Sequence, residues 1–149
     1  MYNVVYRWVW SEEDAADIVQ EAFVRLWAAR ARVRPETAKA MAYTIAINLA
    51  RKRRRWKQLR TFVGLEEHSA PARAEVSLLS AERAASVRDA VEALPESLRS
   101  VLLLCHYSGL SYREVGAALA IPEGTVASRR HTAIKRLRAS LEEVHGSSA

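Results

Sequence analysis

The sequence predicts an all-α protein, two small helical domains joined by a flexible linker. Three observations predict it. Ala and Leu are plentiful, while only 5 Gly and 4 Pro interrupt 149 residues, a composition that favours helix over turn-rich sheet. Apolar residues recur at the three- and four-residue spacing of amphipathic helices, and no run of alternating β-branched residues appears. The periodicity fails between Thr61 and Ser80, where Gly64, Glu66, Glu67, Ser69, Pro71 and Ser77 cluster, so the domain boundary is expected there. The expected division is 1–60, a linker over 61–80, and 81–149.

The opening residues, with Tyr2, Val4, Val5, Tyr6, Trp8, Val9 and Trp10, read as the tail of a helix. It starts without a cap, so its front is expected to be missing. Ser11 caps a second helix whose first turn, Glu12-Glu13-Asp14, is acidic as the helix dipole favours. That helix should run to about Ala29, burying Ala15, Ile18, Val19, Ala22, Phe23 and Leu26. Asp17, Gln20, Glu21 and Val24 form the opposite strip, either solvated surface or a docking face for a basic helix. Ala31 to Ala38, containing Pro35, reads as a loop. Lys39 to about Leu59 is a third helix built on Met41, Ala42, Ile45, Ala46, Leu49 and Ala50.

This third helix ends in the run Arg51 to Arg60, in which 7 of 10 residues are basic. Such density repels itself until a polyanion neutralises it, which points to nucleic acid. Tyr43 and Trp56 offer stacking surfaces for unpaired bases if they are not core residues.

In the second half, Ala81 to Ala93 reads as a helix and Leu94-Pro95-Glu96 breaks it. The next helix carries Leu98, Val101, Leu102, Leu103 and a core Cys105, with Gly109 as its C-cap. Ser111 and Glu114 then form a capping box in front of Val115, Ala118 and Leu119. Ile121-Pro122 stops that short helix, and Pro122-Glu123 opens the last one. Val126, Ala133, Ile134, Leu137 and Leu141 fall on one side of the last helix. Ser128, Arg129, His131, Thr132, Lys135 and Arg136 fall on the other. A short helix, a sharp turn and a basic-faced second helix make a helix-turn-helix, whose second helix fits the major groove. Arg130 interrupts the apolar arc: it either snorkels out along its methylenes or marks a different packing face. Gly146 to Ala149 reads as a frayed tail.

The net charge of +6 is uneven. Residues 1–60 hold 13 Lys/Arg against 6 Asp/Glu, residues 61–99 hold 4 against 7, and residues 100–149 hold 6 against 4. Basic ends around an acidic middle indicate two polyanion-binding modules. Cys105 is alone, so no internal disulfide forms. His68, His106, His131 and His145 lack partners at metal-ligand spacing, so no metal or cofactor is expected. No carboxylate cluster, nucleophile triad or glycine-rich phosphate loop supports an enzyme. No membrane-length apolar run appears, and the expected location is the cytoplasm.

Three motifs in order resemble the extracytoplasmic-function sigma factors, the small bacterial initiation factors of RNA polymerase. Asp14 to Trp27 (DAADIVQEAFVRLW) and Met41 to Ala50 (MAYTIAINLA) resemble their region 2. Leu94 to Leu104 (LPESLRSVLLL), followed by Gly109 to Val115 (GLSYREV), resembles their region 4. The resemblance implies that Asp17, Gln20, Glu21 and Val24, with Asp14, dock on the clamp helices of the polymerase's largest subunit, and that the flap is a further contact. The loop 31–38 and the Asn48 to Arg55 face, with Tyr43, Asn48, Arg51, Lys52, Arg54, Arg55 and Trp56, would hold the melted strand of the −10 element. The helix from Glu123 would read the −35 element of promoter DNA, with Ser128, Arg129 and His131 at positions matching family contacts and Arg113 on phosphate; Thr125, Thr132, Lys135 and Arg136 of the same helix are further candidates. An anti-sigma factor is the expected regulator. The chain departs from the family at Met41, Thr44 and Ile47, and at Ala127, Thr132 and Ile134, where basic or aromatic residues are usual. A DNA-binding regulator that never joins polymerase is the rival reading.

Overall fold

A computed structural model describes residues 1–64 and 78–146. Its elements are α1 (Tyr2–Val9), α2 (Glu12–Ala28), a 3-10 turn (Arg30–Arg32), α3 (Pro35–Phe62), α4 (Leu78–Ala93), α5 (Glu96–Tyr107), α6 (Tyr112–Leu119) and α7 (Glu123–Gly146). The chain divides into two units, Met1–Ala72 and Arg73–Ala149. Helices reach into both ends of the expected linker, α3 continuing to Phe62 and α4 starting at Leu78. The remainder of that linker, 65–77, and the tail from Ser147 lie outside the described residues. Among the described residues no helix is long and apolar enough to cross a membrane.

In the first unit α1, α2 and α3 pack against one another. Val4, Val5 and Trp8 of α1 are fully buried against Ala15, Ile18 and Ala22 of α2 and Ala46, Ile47 and Ala50 of α3. Small residues on α2 and α3 let these helices approach closely. Truncating a core aromatic such as Trp8 would cost about 3–5 kcal/mol. The buried line of α2 is narrower than its periodicity suggests. Phe23 lies 100° round from Ala22 and is 53% exposed instead of buried, because a three-helix unit covers only one stripe of each helix.

The expected loop 31–38 is mostly helical. Arg30–Arg32 makes the 3-10 turn, and α3 begins at Pro35, four residues earlier than the apolar pattern indicates. Proline suits the first helical position, where its fixed φ is helical and its missing N–H is not needed. Arg34 before it is extended (φ −77°, ψ 140°), as a residue preceding proline prefers. Ala50 is the last buried residue of α3, and every residue from Arg55 to Phe62 is exposed.

In the second unit α5 is the central element, buried continuously from Leu98 to Leu104. Leu94, Leu98 and Leu102 enclose Ala133 of α7, with Ile134 and Leu137 packed against them. The buried Arg99 closes the end of α4: its guanidinium donates to the carbonyls of Val91 (3.0 Å), Leu94 (2.7 Å) and Glu92. A cation is favoured there, where helix carbonyls lack intrahelical partners. Gly109 adopts φ +68° just after α5, as a C-terminal glycine should.

The turn between α6 and α7 depends on Gly116. A Cβ at that position would lie 2.7 Å from the carbonyl oxygen of Ile121. Ala120 terminates α6 in the left-handed region (φ 55°), and Ile121 N–H returns to the Gly116 carbonyl at 2.9 Å. Pro122 then starts α7 by accepting from Thr125 and Val126 N–H. Cys105, expected in the core, is only half-buried. Burial pushes its thiol up, while the nearby Arg130 charge opposes that shift. Arg130 therefore sits half-buried on the α5 side of α7, and the thiol stays protonated at neutral pH.

Candidate nucleic-acid interfaces

The first site is assembled by α2 and α3. Asn48, Arg51, Lys52, Arg55, Trp56 and Leu59 line a surface groove of about 370 Å³. These positions recur at three- and four-residue spacing and so share one face of α3. Trp56 is 57% exposed, which leaves its ring free for stacking. A second groove, of about 520 Å³, runs alongside it. Asp17, Gln20, Glu21 and Val24 of α2 form one wall, and Leu49, Lys52, Arg53 and Trp56 of α3 form the other. The structure thus brings the expected polymerase-docking strip and the expected strand-binding face onto two grooves that share Lys52 and Trp56.

Two expected contacts do not join these surfaces. Tyr43 is 5% exposed and belongs to the core, where burial raises its phenol pKa. It lies on the inward face of α3 with Ala46, Ile47 and Ala50, and cannot stack on a base. Asp14 is 8% exposed and paired across the unit with Arg53 and Lys57, the latter at 2.5 Å. Burial alone pushes its carboxyl up. Lys57 and Arg53 outweigh that penalty and hold it below the usual carboxylate range. Its charge is engaged within the unit instead of facing outward with Asp17. Arg54 is half-buried and lines neither groove. Glu21 is partly neutralised by Arg25, one turn along α2 at 2.7 Å.

Sequence reasoning missed two features here. Arg53 and Lys57 were counted among the basic run, yet both pair with the buried Asp14. Trp27 (69% exposed) and Phe23 lie one turn apart on α2, and Arg30 covers the Trp27 ring at 4.4 Å. The spacing of these aromatics was legible, their exposure was not. At Ile47, one of the departures from the family pattern, the side chain is buried (1% exposed), so its apolar nature serves the core.

The second site is the helix-turn-helix of the other unit. Ser111 accepts from Glu114 N–H at 3.2 Å, and the Glu114 carboxylate accepts from Ser111 N–H at 2.7 Å, completing the expected capping box. Ser128, His131, Thr132, Lys135 and Arg136 are exposed on α7, and Thr125 and Arg129 are half-buried beside them. Ser128 Oγ donates to the Thr125 carbonyl (3.1 Å) and Thr132 Oγ1 to the Ser128 carbonyl (3.0 Å). With their protons turned to the backbone, both hydroxyls present acceptor lone pairs outward, suited to the amino groups of adenine or cytosine. Arg113 is exposed on α6. Ile134 packs into the core, so its departure from the family also has a structural reason.

A basic, aromatic-floored groove in one unit and a helix-turn-helix in the other define a two-domain DNA-binding protein. Residues 1–60 match Sigma-70 region 2, and residues 84–137 match Sigma-70, region 4. The chain is 34% identical to the ECF RNA polymerase sigma factor SigL of Mycobacterium tuberculosis, over 87% of this chain and 76% of that protein. It is 31% identical to the ECF RNA polymerase sigma factor SigE of Mycolicibacterium smegmatis, covering 93% of this chain but only 56% of that relative's length. The sigma factor RpoE solved with the anti-sigma factor NepR from Bartonella quintana shares the fold, with a TM-score of 0.71 at 24% identity, over 95% of this chain and 89% of that one. The chain belongs to the extracytoplasmic-function sigma factors. The relatives it matches are RNA polymerase sigma factors.

Proposed function

We propose that this chain directs RNA polymerase core to specific promoters and helps to open them, acting in the bacterial cytoplasm by binding and not by catalysis. One observation carries the reading: the acidic wall of α2 and the basic, Trp56-bearing face of α3 flank a common groove. Asp17, Gln20 and Val24 face outward for the polymerase clamp helices, with Glu21 a weaker contact because Arg25 shares its charge. Asn48, Arg51, Lys52, Arg55 and Trp56 hold the unpaired −10 strand, the cations on phosphate and the indole under a base. Holding that strand offsets a melting cost of a few kcal/mol. The exposed face of α7, from Thr125 to Arg136, reads the −35 element, with Arg113 on the backbone. Tyr43, Asp14 and Arg54 are left out of these contacts.

An anti-sigma protein is the proposed regulator, by analogy with the relative solved in complex with NepR. In vitro transcription with purified core polymerase over a promoter library tests the reading directly, and defined start sites are the expected result. Asp17→Ala with Gln20→Ala should abolish co-purification with core while leaving duplex binding through α7 intact. If co-purification were unchanged, the chain would be a DNA-binding regulator independent of polymerase.

A further inference from the structure

Seven basic residues crowd positions 51–60, but the structure does not present them equally. Asp14 stands in the first turn of α2, and its two carboxylate oxygens face different cations. Oδ1 receives Nη1 of Arg53, and Oδ2 receives Nζ of Lys57 at 2.5 Å. Arg53 and Lys57 are one turn apart and so share a flank of α3. Asn48, Lys52 and Leu59 project from another flank, into the strand groove.

We infer that Asp14 acts as an internal stand-in for a phosphate, withholding Arg53 and Lys57 from nucleic acid so that a strand is gripped only along the groove face. This rests on the DNA-binding reading of α3. A phosphate that drew Arg53 and Lys57 away would take from Asp14, whose side chain is only 11% exposed, the two cations that compensate its burial, which is unfavourable. Lys52 is not a partner of Asp14 and lines the strand groove instead. Asp14 is thus a positioning residue that makes the basic run one-sided. The register of the strand over Trp56 follows from that asymmetry, and the arm should release fewer counterions than its seven cations suggest.

The test is fluorescence anisotropy of the full chain with a labelled single-stranded oligonucleotide of mixed sequence, measured across a salt series. For single strands each phosphate contact contributes about 0.7 to the slope of log affinity against log salt. Lys52→Gln should lower the slope by about 0.7, while Lys57→Gln should leave it unchanged. Asp14→Asn, which frees both cations, should raise the slope by about 1.4, for two added contacts, and tighten non-specific binding. Equal losses in Lys57→Gln and Lys52→Gln would overturn the inference alone, because strand binding itself would stand. So would an Asp14→Asn protein that stays folded but keeps the wild-type slope, since a purely structural tie changes melting without changing counterion release. Lys57→Gln leaves Asp14 its Arg53 partner, so that arm is informative even if Asp14→Asn unfolds. Absence of any salt-dependent binding by the wild type would remove the DNA reading of α3 and the inference together.

Discussion

Two serines open helices with the same local signal and come to different ends. Ser11 is followed three residues later by Asp14, and Ser111 by Glu114. Both hydroxyls accept the N–H of that acid, at 3.3 and 3.2 Å. Glu114 turns back to its own cap, accepting Ser111 N–H at 2.7 Å. Asp14, one methylene shorter, reaches across the unit to Arg53 and Lys57, 39 and 43 positions along the chain. The same spacing thus makes a local box in one unit and a tertiary bolt in the other. In the second unit the buried Arg99 makes its bonds over only five to eight residues. The bolt of the first unit ties down a helix whose end carries no buried residue.

The strongest challenge to that contrast comes from the buried cation of the second unit. Arg99→Met keeps the length and apolar stem but takes the guanidinium from the Glu92 and Leu94 carbonyls, while the Val91 carbonyl keeps only Leu94 N–H at 3.2 Å. Unsatisfied buried acceptors cost about 1–3 kcal/mol, and the loss here should lie near the upper end. All four Trp residues (Trp8, Trp10, Trp27 and Trp56) lie in the first unit. Thermal melting followed by circular dichroism and by Trp fluorescence therefore separates the units. The variant should lower a helical transition while fluorescence keeps its midpoint. A shift in both signals would mean that the units do not melt independently.

Gly116→Ala should be next in size. Its Cβ would stand 2.7 Å from the Ile121 carbonyl oxygen, a backbone atom that cannot rotate away. Opening the turn should cost about 1–3 kcal/mol, the range for overpacked sites. The same circular dichroism transition should fall, together with duplex binding by α7. Full −35 binding by this variant would show that the turn is softer than its contacts imply.

Acid tests the bolt itself. Asp14 has a carboxyl pKa held below its unfolded value of 3.8. The linked stability is therefore present above that value and is lost as pH falls through the lower, folded one. Below about pH 4 the Trp fluorescence midpoint of the wild type should fall towards that of Asp14→Asn, and the gap between the two should close. A gap of constant size from neutral pH down to pH ~2, well below the ordinary carboxylate range, would mean that the pairs with Arg53 and Lys57 contribute nothing to the folded state.

How much of this could be read in the sequence follows from the same contrast. The box at Ser111 and Glu114, the stop at Pro122 and the two faces of α7 are set by neighbours three to seven residues apart, and all lie where the pattern places them. The fold class and the Asp17, Gln20, Glu21 and Val24 strip were legible for that reason. Position within the first unit was not. Phe23, expected in the core, is exposed, and Tyr43 takes the core place of its two readings, because helical periodicity gives an angle and not the width of the stripe that neighbours cover. Pro35 signals a break and a helix start equally well, and only the extended Arg34 before it decides. The role of Asp14 needed a contact across 39 residues, which no local spacing encodes.

The smallest expected effect is also the sharpest test of the comparison. Ser111→Ala removes one acceptor and strands the partner bond of Glu114, so it should cost about 1 kcal/mol or slightly more. Ser11→Ala removes a longer cap bond at a helix whose Asp14 is held elsewhere, and should cost about 0.5–1 kcal/mol. Glu114→Asp asks whether one methylene decides the outcome. A shorter acid at 114 keeps the charge near the start of α6 but cannot close the return bond to Ser111 N–H as well. The loss should be a few tenths of a kcal/mol, and Ser111→Ala in the Glu114→Asp background should cost less than in the wild type, because the two groups act as one box. Additive losses in that double-mutant cycle, read by chemical denaturation, would mean that the reciprocal bonds at Ser111 work independently, and that side-chain length is not what separates the box from the bolt.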